Sequence, residues 1–172
     1  ISLAGPIGNG AFDIRGDLQA IAKAMVDDIN EKGGVACGRK IVLKQYDVNP
    51  LDPNDTQAKC LAAQADNPLM VIDFGGYLTP AARRCFVEAK IPLVTGTAFA
   101  ADELKTSLPY LFGPKNSAES QAHNGILGLK DHGFFDPPAF KKLGLFEDAC
   151  YPSVNETIKA DLAKVGVKDD QI

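Results

Sequence analysis

The chain has 172 residues, of which 45% are hydrophobic and 23% charged, with a net charge of −4. These are the proportions of an ordinary globular domain, or of one domain and part of a second, and they argue against extensive disorder. Basic residues cluster only in pairs such as Arg39-Lys40, Arg83-Arg84 and Lys141-Lys142, which leaves no basic stripe for nucleic acid. No apolar run approaches the roughly 20 residues that span a bilayer.

Ile1-Ser-Leu-Ala4 reads as a strand, and Gly5-Pro6-Ile7-Gly8-Asn9-Gly10 as the glycine-rich loop after it. From Phe12 to Lys32 the apolar residues Leu18, Ile21, Ala22, Met25, Val26 and Ile29 recur at helical spacing, and Gly33-Gly34 ends the helix. The β-formers of Lys40 to Tyr46 predict a strand, and Asn49 to Asp55 predicts a turn holding the N-cap of a helix that runs to Ala65. Leu69 to Phe74 predicts an apolar strand interrupted only by Asp73, followed by the loop Gly75-Gly76-Tyr77-Leu78. Thr79-Pro80 supplies a capping hydroxyl and a first-turn proline for a helix ending near Lys90. Ile91 to Val94 predicts a short strand, and Thr95 to Phe99 the loop beyond it. Tyr110 to Phe112 is a further extended piece, Ser117 to His132 a helix, residues 133–139 a loop, and Lys142 to Phe146 a strand. Ser153-Val-Asn-Glu156 has the form of a capping box opening a helix to Val165.

Strands and helices alternate at least five times, which predicts an α/β fold with a doubly wound parallel sheet. Ligand crevices in such sheets lie at the carboxyl ends of the strands, here loops 5–13, 47–53, 74–78, 95–99 and 147–152. Leu111-Phe-Gly-Pro114 marks a boundary between a first unit, residues 1–112, and a second beginning at 113–172.

Catalytic chemistry finds little support. Gly8-Asn9-Gly10 is followed by Ala11-Phe12-Asp13, so the dinucleotide motif GxGxxG is absent, as are a phosphate-loop lysine pattern and a GxSxG elbow. Cys150 lies beside Glu147 and Asp148, whose charges disfavour a thiolate. Asp73 reads as a hydrogen-bonded structural carboxylate rather than a phosphoacceptor, because no companion acidic pair stands at the end of the first strand. The aromatics Tyr77, Phe99 and Tyr151 all fall at strand ends, where rings can wall a pocket. Thr95-Gly96-Thr97 reads either as a hydroxyl-rich ligand loop or as a locally bonded polar turn. Cys37, Cys60, Cys85 and Cys150 form no CxxC or Cys/His cluster, so no metal site is expected, and disulfides and buried free thiols both remain open.

Asp28-Ile-Asn-Glu-Lys-Gly-Gly-Val35, Gly38-Arg-Lys-Ile-Val-Leu43 and Tyr46-Asp-Val-Asn-Pro-Leu-Asp-Pro53 resemble the branched-chain amino-acid (Leu/Ile/Val) binding proteins of ABC importers, which are type I periplasmic solute-binding proteins. The similarity continues through Gly75 to Pro80, Ile91 to Thr95 and Phe146 to Tyr151, covering essentially the whole chain. The resemblance implies two α/β lobes with a ligand in the cleft between them. The first lobe would be nearly complete here, and most of the second would be missing. It also implies an extracytoplasmic component that captures an amino acid or related polar or aromatic compound without catalysis, cofactor or metal, and delivers it to a membrane permease. The start at Ile1 fits a mature chain whose signal peptide has been removed, in the periplasm, outside the cell, or lipid-anchored at its surface.

By position, the resemblance assigns ligand contacts to Gly75, Gly76 and Tyr77, to Thr95, Gly96, Thr97, Ala98 and Phe99, to Tyr151, and to the wall near Phe12. Gly-Gly-Tyr replaces a serine that family members place in the first of these loops, which points away from a standard branched-chain ligand. Some relatives bridge the positions of Cys60 and Cys85, so a disulfide is expected there. A receptor ectodomain with the same fold is the alternative, and an α/β enzyme is disfavoured by the missing phosphate loop.

Overall fold

The computed structural model describes residues 2–6, 18–49, 51–147, 149 and 151–172. Phe12, Cys150 and the expected start of the first helix lie outside these. Five short strands, β1 (Ser2–Pro6), β2 (Lys44–Val48), β3 (Val71–Asp73), β4 (Leu93–Thr95) and β5 (Leu111–Phe112), form one parallel sheet in the order β2-β1-β3-β4-β5. Helices α1 (Leu18–Glu31), α2 (Pro53–Ala65), α3 (Pro80–Glu88), α4 (Ala101–Ser107), α5 (Ala118–Asp131) and α6 (Pro152–Lys164) connect or follow them. The described residues fall into two compact units, 1–97 with 107–114, and 98–106 with 115–172.

The first unit carries the sheet. Ser2 pairs with Lys44 on one side and Val71 on the other, so the strand order reverses at β1. Right-handed crossovers then place α1 on one face and α2 and α3 on the other. Val48, Val71, Leu93 and Leu111 are buried on the strands, and Cys60, Ala63, Ala82 and Phe86 are buried on the helices covering them. Cys60 and Cys85 form a disulfide between α2 and α3, as the resemblance implied. Beside it, Thr56 Oγ1 and the capping hydroxyl of Thr79 lie 3.0 Å apart.

β2 lies further along the chain than the expected Lys40 to Tyr46. The Asn30 amide at the end of α1 grips both backbone groups of Ile41, at 2.7 and 2.9 Å, so this stretch is tied to the helix rather than to the sheet. Lys44 and Tyr46, two apart on β2, both reach Asp66 at the end of α2, which anchors the observed strand. Burial and Asp66 together push the Tyr46 phenol up to about 12, while the hydrogen bonds from Lys44 and Tyr46 lower Asp66. β3 is shorter than Leu69 to Phe74, and Leu69 projects into solvent.

In the second unit, Ile126, Phe135, Leu162 and Val167 form a core against Phe140, Leu143, Ile158 and Val165. Phe135 meets Phe134 and Phe140 edge-on, each with centroids 5.3 Å apart. The strand expected at Lys142 to Phe146 is absent among the described residues. A strand needs a ladder partner, and the one backbone bond shown there is Leu143 N–H to the Gln171 carbonyl. The capping box at Ser153 does not form either. Pro152 already opens α6, with Tyr151 as the flanking residue, and the Ser153 hydroxyl donates instead to Glu119 Oε1 at 2.9 Å. α4 was not expected from the sequence. Its amide at Ala101 donates to both oxygens of Glu119, and Asp102 and Glu103 occupy its favourable first turn.

Two measurements follow from these tethers. Replacing both Cys60 and Cys85 by serine should lower unfolding stability by about 3 kcal/mol in urea titrations, from the loop-closure entropy of a 25-residue separation. An unreduced digest should carry their two peptides linked. On α6 the buried Asp161 carboxylate accepts from Lys164 Nζ at 2.9 Å and meets His123 Nδ1 at 2.8 Å. Lys164 first and His123 second hold its carboxyl below the ordinary range. A lowered folded value stabilises above the unfolded aspartate pKa of about 3.9 and fades as pH falls through the lowered one. Asp161→Asn should therefore flatten the acid limb of stability against pH, read by chemical denaturation.

Candidate functional site

The site is built outward from β3. Asp73, the last residue of that strand, is 1% exposed and carries a carboxylate in an apolar setting, so its lone pairs require donors. The chain supplies four. Oδ1 accepts the N–H groups of Gly76 and Tyr77 at 3.0 and 3.1 Å, and Oδ2 accepts those of Leu78 and the Thr95 hydroxyl at 3.2 and 3.0 Å. The loop after β3 is thereby wrapped around the carboxylate at its own root. Arg83 on α3, also buried, donates to the Leu78 carbonyl at 2.6 Å and fixes the far end of the loop.

The loop after β4 is fastened to the same residue. Gly96 N–H donates to the Asp73 carbonyl at 3.0 Å, and Thr97 N–H to Thr95 Oγ1 at 3.4 Å. The two loops touch at Gly76, whose φ of +70° suits glycine. A Cβ added there would lie 2.8 Å from the Thr97 nitrogen. At Gly75 a Cβ would collide with the Tyr77 ring at 1.7 Å, so the missing side chain is what lets the ring fold back over the backbone.

The structure thus brings Gly75, Gly76, Tyr77, Thr95, Gly96 and Thr97 together at the carboxyl edge of β3 and β4. Tyr77, Gly75, Gly76, Gly96 and Thr97 are partly exposed. Thr95 is 1% exposed, so its hydroxyl supports the loop from behind instead of facing solvent. Ala98, Phe99 and Tyr151 belong to the second unit, where Phe99 is buried and Tyr151 half-buried at the start of α6. Phe12 lies outside the described residues.

Two residues at this edge went unnamed as contacts in the sequence. Phe74 is 42% exposed beside the first loop, although it reads as the end of an apolar strand. Arg83 reads as half of a basic pair, and it is buried, bonded to the end of the loop at Leu78. Elsewhere, a polar hollow of about 530 Å³ between α5 and α6 is lined in part by Glu119, His123, Asp161 and Lys164. Its charged groups are paired with one another or with backbone: Asp161 with His123 and Lys164, and Glu119 with Ala101 and Ser153. No group of acidic, histidine and cysteine side chains suited to a metal occurs among the described residues.

A parallel sheet whose strand order reverses at β1, with built loops at its carboxyl edge, is the lobe architecture of type I periplasmic solute-binding proteins, and the chain shares its fold with solved members of that class. An ABC transporter substrate-binding protein from Desulfitobacterium hafniense in complex with Leu superposes with a TM-score of 0.71 at 20% identity, over 98% of this chain and 48% of that one. A solute-binding protein of an ABC transporter from R. palustris, in complex with 4-hydroxybenzoate, gives 0.69 at 16% identity, over 96% and 43%. The branched-chain amino acid transporter substrate-binding protein LivJ from Streptococcus pneumoniae, in complex with isoleucine, gives 0.60 at 20% identity, over 86% and 40%. The chain spans less than half the length of each of these binding proteins. No protein-family model and no curated protein matches the sequence.

The loop contact gives a direct test of the local geometry. Gly76→Ala should cost at least about 1–2 kcal/mol of stability, because alanine must adopt the left-handed conformation and push against the Thr97 backbone. Urea unfolding of the variant measures it.

Proposed function

We propose that the protein is the solute-binding component of an ABC importer, capturing a small molecule, an amino acid or a related polar or aromatic compound. The first lobe is residues 1–112, and residues 113–172 open the second. The observation that carries this reading is the pair of strand-end loops locked together at the carboxyl edge of β3 and β4, the edge where open α/β sheets take their ligands. Gly75, Gly76, Tyr77, Gly96 and Thr97 offer a polar, partly exposed ledge with one aromatic ring. Ala98 and Phe99 from the end of the second loop, Tyr151 from the second lobe, and Phe12 complete the set of proposed contacts.

Capture proceeds by lobe closure: the solute settles on one lobe's loops and the other hinges over it. No bond is made or broken, and the residues at the ledge include no nucleophile–base pair. The loaded protein then docks on a membrane permease, which places it in the periplasm or outside the cell. The leucine, isoleucine and 4-hydroxybenzoate complexes of the relatives set the size of solute to try first.

Native mass spectrometry of the purified protein should reveal a co-purifying small molecule, and calorimetry with those three compounds should give saturable binding. Removing either tyrosine ring, by Tyr77→Ala or Tyr151→Ala, should weaken that binding about tenfold with the fold intact, the loss expected for one buried aromatic contact. Affinity unchanged in both variants would rule out this site.

A further inference from the structure

We propose that Asp73 is the positioning residue of this site, and that Thr95 carries its hold from the first loop to the second; the inference rests on the solute-binding reading above. A carboxylate is an acceptor with two oxygens and no proton to give, which is the chemistry that four converging donors require. Gly76, Tyr77 and Leu78 present three of those donors from consecutive residues, and the Thr95 hydroxyl presents the fourth from the neighbouring strand. At 1% exposure no solvent can replace any of them.

Thr95 is the relay because its oxygen works in both directions. It donates to Asp73 Oδ2 and accepts from Thr97 N–H, so the first loop, the carboxylate and the second loop form one continuous chain of hydrogen bonds. The Gly96 N–H to Asp73 carbonyl bond runs beside it. Both loops are therefore tied to Asp73, the first through its side chain and the second through Thr95 and the Asp73 backbone carbonyl.

The arrangement also decides what the first loop can offer. The Gly76 and Tyr77 amides point inward to Asp73, so a solute's anionic head cannot use them while the carboxylate keeps them. The solute meets the Tyr77 ring, the Gly75 backbone and the Thr97 side of the second loop instead. Asp73 touches none of it and acts only through the loops.

The test compares Thr95→Val, which keeps the shape and loses the hydroxyl, with Thr95→Ser, which keeps the hydroxyl, and with Asp73→Asn. Amide exchange is followed without ligand, and calorimetry uses leucine, isoleucine and 4-hydroxybenzoate as probes. In Thr95→Val the Thr97 amide should exchange about tenfold faster, and affinity for the bound probe should fall about tenfold, as expected for loss of a hydrogen bond to a charged group. Thr95→Ser should restore both. Asp73→Asn should also speed exchange at Leu78, because the new amide turns a donor towards it. If that variant does not fold, the Thr95 pair still decides. Thr95→Val binding within about twofold of the parent, at whatever cost in stability, overturns the positioning role, since a purely structural residue would behave that way. Thr95→Ser binding as weakly as Thr95→Val overturns the relay. A parent protein that binds none of the probes counts against the solute-binding reading alone, and the exchange pattern then still confirms or overturns the hold of Asp73 on the two loops.

Discussion

The structure at the sheet edge depends on one buried carboxylate. β3 ends on Asp73, and a charged group sealed from water at that point would be costly without partners. The chain resolves this by turning back, so that three successive amides and one hydroxyl face it. The turn after β3 is therefore a shape imposed by the acid at its base. The second loop is tied to the acid through the Thr95 hydroxyl and to the Asp73 main-chain carbonyl through Gly96 N–H, and the glycine at 76 allows the two backbones to meet.

Rigidity beneath the edge comes from a different source. α3 begins directly after the first loop, capped by Thr79, and Arg83 one turn later ties back to Leu78. The disulfide to α2 and the Thr56–Thr79 hydroxyl pair hold α3 against its neighbour. Covalent and polar tethers thus converge on the helix that receives the loop, and the loop is anchored at both ends.

The architecture was legible in the sequence because it is periodic. Short apolar runs alternating with helical spacing led to a parallel α/β sheet, and Thr79-Pro80 located the start of α3 to the residue. What the pattern missed was decided by single side chains acting at a distance. The stretch before β2 has strand propensity, but the Asn30 amide claims Ile41 and delays the strand until Lys44 and Tyr46 can share Asp66. Lys142 to Phe146 has the same propensity and no ladder partner among the described residues, so propensity alone does not make it a strand. At the edge, residue types indicated which loops to examine but not which groups face outward. The Thr95 turn read either as a ligand loop or as a locally bonded turn, and its hydroxyl is buried and bonded to Asp73, whereas Phe74 looked like strand interior and is exposed.

The run Gly75-Gly76-Tyr77 has a physical consequence beyond composition. Two glycines lower the backbone of the first loop until one of them contacts Thr97 and the other lies under the Tyr77 ring. The ring fills the space that a side chain at 75 would have taken, and Thr97 occupies the space at 76. The loop carries a partly exposed aromatic ring, and its Gly76 and Tyr77 amides are bound to Asp73 below. On the proposed solute-binding reading, ring contact and the depth left above the glycines would set selectivity, so that shape rather than charge discriminates among solutes of similar polarity.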